Sequence, residues 1–161
     1  YKRQVRIKLL AVGTRMPAWV VQGYQEYAQR MPPICQLELQ EIAAKKRGKN
    51  ADTARILRDE AELLKSAVPD NAITIALDRR GKHIDTEGLA RHMQQWIDDS
   101  QDVAILIGGP EGIDANYLNT VPLKWSLSAM TFAHPVVRVM LAEQLYRAWS
   151  INANLPYHRG D

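Results

Sequence analysis

The chain has a single cysteine, Cys35, among 161 residues. An internal disulfide is therefore excluded, and a reducing, cytoplasmic setting is expected. Cys35 falls in the alternating stretch CQLELQEI, where it is expected to act as a small core side chain. No apolar run approaches the roughly 20 residues of a membrane-crossing helix, so no membrane partner is expected. The amino-terminal YKRQVRIKLLAVGT is basic but lacks a long apolar core and a small-residue cleavage site, which argues against a signal peptide. Residues 1–4 are expected to be extra to the domain. The four histidines, 83, 92, 134 and 158, are scattered with no second cysteine to join them, so no metal site is expected. The dinucleotide spacing GxGxxG, the phosphate loop GxxxxGK followed by Ser or Thr, and the nucleophile elbow GxSxG are also missing.

What is present is a regular alternation of strand and helix. Strands are expected at 5–12, 35–42, 72–78, up to Gly108, and near 125–129; helices at 17–30, 51–66, 86–99, 114–119 and 135–152. Proline 17 suits the first turn of its helix, and Thr86 is the expected cap of another. Ala54, Leu57, Ala61 and Leu64 mark one inward stripe, and Leu89, Met93, Trp96 and Ile97 a second. RRGKH (79–83) reads as a turn ending its strand, and His92 as a solvated residue beside Arg91. This order implies one α/β domain, a mainly parallel sheet with helices on both faces. The final helix is apolar around most of its circumference, with stripes at Val137, Leu141, Leu145, Ala148 and at Val139, Ala142, Tyr146, Trp149. Such a helix must be buried on more than one side, which favours a two-fold homodimer over a thick core. The tail from residue 153 to 161 is expected to lie outside the core.

DVAILIGGPEG (102–112) is the most informative run: a buried strand ends abruptly in a glycine-rich loop. In an open α/β sheet the carboxyl edge is where ligands bind. Glycines 108, 109 and 112 let a ligand approach the main chain, although a plain tight turn explains the same residues. The net charge is only +3, yet Lys45, Lys46, Arg47 and Lys49 cluster, as do Arg79, Arg80 and Lys82. Such clusters suit a polyanion through counterion release, or are simply solvated loops. Tyr157, His158 and Arg159 place a phenol, a titratable ring and a guanidinium side by side near the end.

Five blocks carry a resemblance: LLAVGT (9–14), KRGKNAD (46–52), LIGGPEG (106–112), SLSAMTFAHPVVRVMLAEQLYRAW (126–149) and PYHR (156–159). In this order they resemble the RlmH family, formerly YbeA, of SPOUT-class rRNA methyltransferases, from about residue 6 to residue 159. Ala133 departs from the proline that the family often has before the histidine. The resemblance implies a SPOUT-type fold with a carboxyl-terminal trefoil knot, and a homodimer. It implies S-adenosylmethionine as methyl donor and, as target, N3 of a pseudouridine in helix 69 of 23S rRNA within the assembled 70S ribosome. Carried over block by block, the cofactor residues are Leu77, Asp78, Gly108, Gly109, Ser128, Ala129, Met130, Thr131, Phe132 and Ala133. A neutral adenine edge and a ribose can be held by main-chain groups, so small residues suffice there. Glu111 is a weaker candidate for balancing positive charge.

The neutral imide nitrogen of the target has no available lone pair, so its proton must leave. With the resemblance, the tail is expected to close over the base: His158 accepts the proton, or Arg159 stabilises the anion electrostatically, and Tyr157 stacks on or hydrogen-bonds the ring. RNA contacts are expected from the 45–49 loop (Lys45, Lys46, Arg47 and Lys49) and from the 79–82 loop, with Arg138 a candidate for phosphate or interface contacts and Arg147 more for the subunit interface. Two other readings stay open: a non-catalytic RNA-binding module on the same fold, and a related methyltransferase acting on another RNA. A nucleotide-dependent oxidoreductase is a distant third, since the glycine spacing is wrong.

Overall fold

A computed structural model describes residues 3–45 and 52–159. Ten main elements alternate: β1 (Val5–Val12), α1 (Ala18–Ala28), β2 (Cys35–Ile42), α2 (Thr53–Ala67), β3 (Ile73–His83), α3 (Thr86–Asp98), β4 (Val103–Ile107), α4 (Ala115–Thr120), β5 (Leu123–Ser126) and α5 (His134–Asn152). The strands form one sheet in the order β2-β1-β4-β3-β5, and every pairing is parallel. The chain is thus α/β, as the alternation implied.

Both faces of the sheet are covered, which is why the central strands are nearly all apolar. Val5, Ile7, Leu9 and Ala11 of β1, with Val103, Ile105 and Ile107 of β4, face one core with α1, α3 and α5. Leu10 and Val12, with Ala104 and Leu106, face the second, under α2 and α4. Cys35 is fully buried in the first core, and burial pushes its thiol up to about 12.

Local chemistry sets the element ends. Asp52 caps α2 by accepting from Arg55 N at 3.2 Å, and Asp114 caps α4 by accepting from Tyr117 N at 3.1 Å. The cap of α3 is Asp85, which accepts from Gly88 N at 2.6 Å, not Thr86. Thr86 instead donates its hydroxyl to Gln144 Oε1 of α5 at 2.7 Å. The inward stripe of α2 is Ile56, Glu60, Ala61 and Leu64, with Ala54 exposed. β5 ends at Ser126, earlier than expected, which frees residues 127–133 as a loop.

One further departure shapes the site. The RRGKH stretch is no terminating turn: β3 resumes and runs to His83. Trp125 of β5 pairs with both Leu77 and Lys82, so residues 78–81 form an excursion pinned at both ends. A Cβ on Gly81 would stand 2.5 Å from the Lys124 carbonyl oxygen, so only glycine lets the chain pass there. The described tail residues contribute nothing to the core clusters, as expected: Pro156–Arg159 form a single 3-10 turn, η1, lying on α5.

Candidate active site

The carboxyl ends of β3, β4 and β5 open into a cleft of about 530 Å³. That volume falls in the range of small-molecule sites. Its walls are three chain segments: Leu77 to Arg80, Ile107 to Gly112, and the Trp125 to Phe132 stretch, with His134 and Val137 of α5 behind. The glycine loop doubles back on itself, with Gly112 N donating to Gly109 O at 3.0 Å. A Cβ on Gly108 would meet the Gly112 carbonyl carbon at 2.6 Å, so the turn requires glycine at that position. The loop after β5 is fixed from within: Ser126 Oγ donates to Ser128 O at 2.9 Å, and Met130 N to Ser128 Oγ at 3.0 Å. Met130 itself is 70% exposed at the lip. The floor is aromatic: Trp125 stacks on Trp96 at 6.2 Å between centroids and touches the His92 ring at 4.9 Å. His92 is therefore half-buried against two indoles, not solvated. Burial, with Lys82 and Arg91 nearby, lowers its pKa.

Of the residues nominated for the cofactor, Leu77, Asp78, Gly108, Gly109, Ser128, Met130, Thr131 and Phe132 all line this cleft. Ala129 lies in the same loop without lining it, and Ala133 serves as the amino-terminal cap position of α5. Arg79 and Arg80 also line the cleft. The sequence assigned them, with Lys82, to the basic footprint expected to face RNA; their place beside the cleft depends on the β3–β5 pairing.

Arg138 is a correction. Its side chain is 1% exposed, pairs with Glu41 of β2 at 2.6 Å, and donates to the Gly13 carbonyl at 2.8 Å. A guanidinium so enclosed cannot reach an RNA phosphate. It ties the second turn of α5 to the carboxyl ends of β1 and β2. Lys45 is described, its amide donating to buried Glu60 at 3.1 Å, whereas Lys46, Arg47 and Lys49 lie outside the described residues.

The tail residues sit elsewhere. Tyr157 donates its hydroxyl to Glu143 Oε2 at 2.7 Å, and its ring packs edge-on to Tyr146 at 5.0 Å and Tyr27 at 6.4 Å. Arg147, paired to Glu143 at 2.7 Å, lies over the same ring at 4.9 Å. Burial and the Glu143 hydrogen bond raise the Tyr157 pKa, so its phenol stays protonated. His158 Nδ1 lies 3.3 Å from Ser150 Oγ, whose hydroxyl proton is given to the Arg147 carbonyl at 2.8 Å. A hydroxyl has one proton to give, so Ser150 accepts from Nδ1–H. An imidazole with its proton on Nδ1 has its lone pair on Nε2, the atom able to accept a proton.

Distance separates the two halves. His134 borders the cleft at one end of α5, while Ser150 meets His158 near the other. Sixteen residues at about 1.5 Å each put roughly 24 Å of helix between them. The structure brings the cofactor residues together and seats the tail of the same chain farther along α5, Tyr157 at Glu143 and His158 at Ser150.

Residues 5–158 match the family described as "Predicted SPOUT methyltransferase". This α/β chain with a cleft at the carboxyl edge of its sheet belongs to the SPOUT methyltransferase family. Its sequence blocks place it in the RlmH group. A curated relative, "Ribosomal RNA large subunit methyltransferase H" of Thioalkalivibrio sulfidiphilus (strain HL-EbGR7), is 50% identical over 155 residues, covering 96% of this chain and 99% of the relative. A solved structure described as "a probable methylase family protein from Haemophilus influenzae Rd KW20" shares the fold, with a TM-score of 0.58 at 13% identity over 94% of this chain and 69% of that one.

Proposed function

We propose that the protein methylates N3 of a pseudouridine in helix 69 of 23S rRNA, within the assembled 70S ribosome and as a homodimer. The observation that carries this reading is the cleft at the sheet's carboxyl edge, lined by the segments that the family resemblance assigns to the methyl donor. The 50% identity to a named large-subunit rRNA methyltransferase supports the substrate class.

The cleft fits S-adenosylmethionine in size and chemistry. Leu77, Asp78, Gly108, Gly109 and the Ser128–Phe132 loop would hold it, offering main-chain N–H and C=O groups to the adenine and ribose. When bound, it supplies an electrophilic methyl group that needs no metal to react.

The chain's own task is to remove the N3 proton and hold the resulting anion. Nε2 of His158 is the acceptor, its tautomer set by Ser150, and Arg159 stabilises the negative charge. A general base contributes about 10²–10⁴-fold. Tyr157, anchored to Glu143, holds the turn that presents both. Because His158 of one chain meets Ser150 near the far end of α5 from its own cleft, the tail of a second copy completes each site, with the two α5 helices antiparallel about the two-fold. Support for such a dimer comes from α5, where Tyr146 and Trp149 are only partly buried, and from the exposed Trp19 and Val21 on neighbouring α1. The trefoil knot belongs to the same proposal. The match of residues 5–158 to the SPOUT family supports it.

The test uses labelled S-adenosylmethionine with whole ribosomes or free 23S rRNA, followed by mapping of the labelled nucleotide. Label on one pseudouridine, from ribosomes and not free rRNA, is the expected result. Label on a ribose hydroxyl or on another RNA would replace this reading with the related-methyltransferase one.

A further inference from the structure

We propose that the excursion of β3 over residues 78–81 is a phosphate clip: Arg79 and Arg80 grip the RNA backbone beside the target nucleotide. The inference rests on the proposed RNA substrate and adds where that RNA is held. Four residues leave the β3–β5 ladder and rejoin it against the same partner, Trp125, so the excursion cannot swing away from the cleft. Gly81 presses on the β5 main chain and locks the returning limb. The two arginines are thereby projected, exposed, over a wall of the cleft.

Neither guanidinium has a hydrogen-bond or ion-pair partner among the described residues, and the same holds for Lys82. The charge continues outward, since Lys82 and Arg91 both act on His92, which packs on Trp125. A cofactor carboxylate could meet one arginine within the cleft, but a small molecule cannot span a track that runs on to Arg91. A polyanion can, and arginine forks match phosphate oxygens in bidentate geometry. The rival explanation is that these charges only guard β5, an edge strand, against pairing with another chain.

Ribosome binding by the 161-residue chain is measured by sedimentation across a salt series, beside calorimetry with S-adenosylmethionine. For R79Q/R80Q, the salt dependence of log K should flatten by about 1.4–1.8, at roughly 0.7–0.9 per phosphate contact. Ribosome affinity should fall at least about tenfold at low salt, cofactor affinity should be unchanged, and R79K/R80K should keep most of the slope. An unchanged slope with unchanged ribosome affinity overturns the clip. Weakened cofactor binding with an intact slope assigns the arginines to the cofactor instead, and self-association as the sole change assigns them to edge protection; either overturns it. Because binding is read without turnover, a wild-type protein that binds ribosomes through these arginines but methylates no rRNA would sink the proposed reaction and leave the clip standing.

Discussion

The ion pair between Arg138 and Glu41 predicts an asymmetry between its two halves. The Arg138 side chain is 1% exposed and that of Glu41 36%. Glu41→Ala therefore strands a buried guanidinium with only the Gly13 carbonyl for company. Breaking a buried pair from one side costs about 3–5 kcal/mol, and the lower end, about 3 kcal/mol, applies because Glu41 is already part-hydrated. Arg138→Met leaves the carboxylate free to turn to water and fills much of the vacated volume. Its main cost is the unsatisfied, buried Gly13 carbonyl, about 1–3 kcal/mol. Urea denaturation, read as a shift in midpoint at constant slope, separates the two. Glu41→Ala should be the more destabilising, by up to about 2 kcal/mol, and the double variant R138M/E41Q should be less destabilised than E41A alone. If Arg138→Met proves the costlier change, the desolvation argument is wrong and the guanidinium's own bonds dominate.

Gly108→Ala drives a methyl into the Gly112 main chain, so calorimetry should register a large loss of S-adenosylmethionine affinity with the fold retained. His158→Ala should lower kcat by about 10²–10⁴ with cofactor affinity unchanged, and Ser150→Ala, which frees the tautomer, should give a smaller drop. Cys35, its pKa pushed up to about 12, should resist thiol reagents at pH 8 until denaturant is added; rapid native labelling would contradict its burial. The folded pKa of His92 lies below its ordinary 6.5, so the unfolded chain takes up that proton first and stability should fall as pH drops through and below 6.5. His92→Gln should flatten that part of the stability-against-pH curve.

Most of the scaffold was legible because it rests on periodicity. The short, largely apolar runs at 5–12 and 103–107, bounded by turn residues, read as buried strands, and Leu89, Met93, Trp96 and Ile97 repeat at helical spacing. The cofactor wall was legible only through block resemblance, since glycine and small residues have no chemistry of their own to announce. What escaped were features fixed by long-range partners. Nothing local in RRGKH shows that Trp125 will take up the strand again after Gly81. Arg138 looks like any surface arginine until Glu41 and Gly13, distant in sequence, close around it. The PYHR tail, polar and terminal, gives no hint that Glu143 and Tyr146 will hold Tyr157 or that Ser150 will meet His158.

The composite site is tested most directly by mixing two inactive variants, Gly108→Ala and a tail variant with alanine at both His158 and Arg159. If each cleft takes its tail from the other subunit, re-equilibrated heterodimers hold one site intact in both parts, and methylation of ribosomes should return to about a quarter of the wild-type rate from two-fold symmetry and random pairing. If cleft and tail act within one chain, every site in the mixture carries a defect, and the activity should stay at the level of the separate variants.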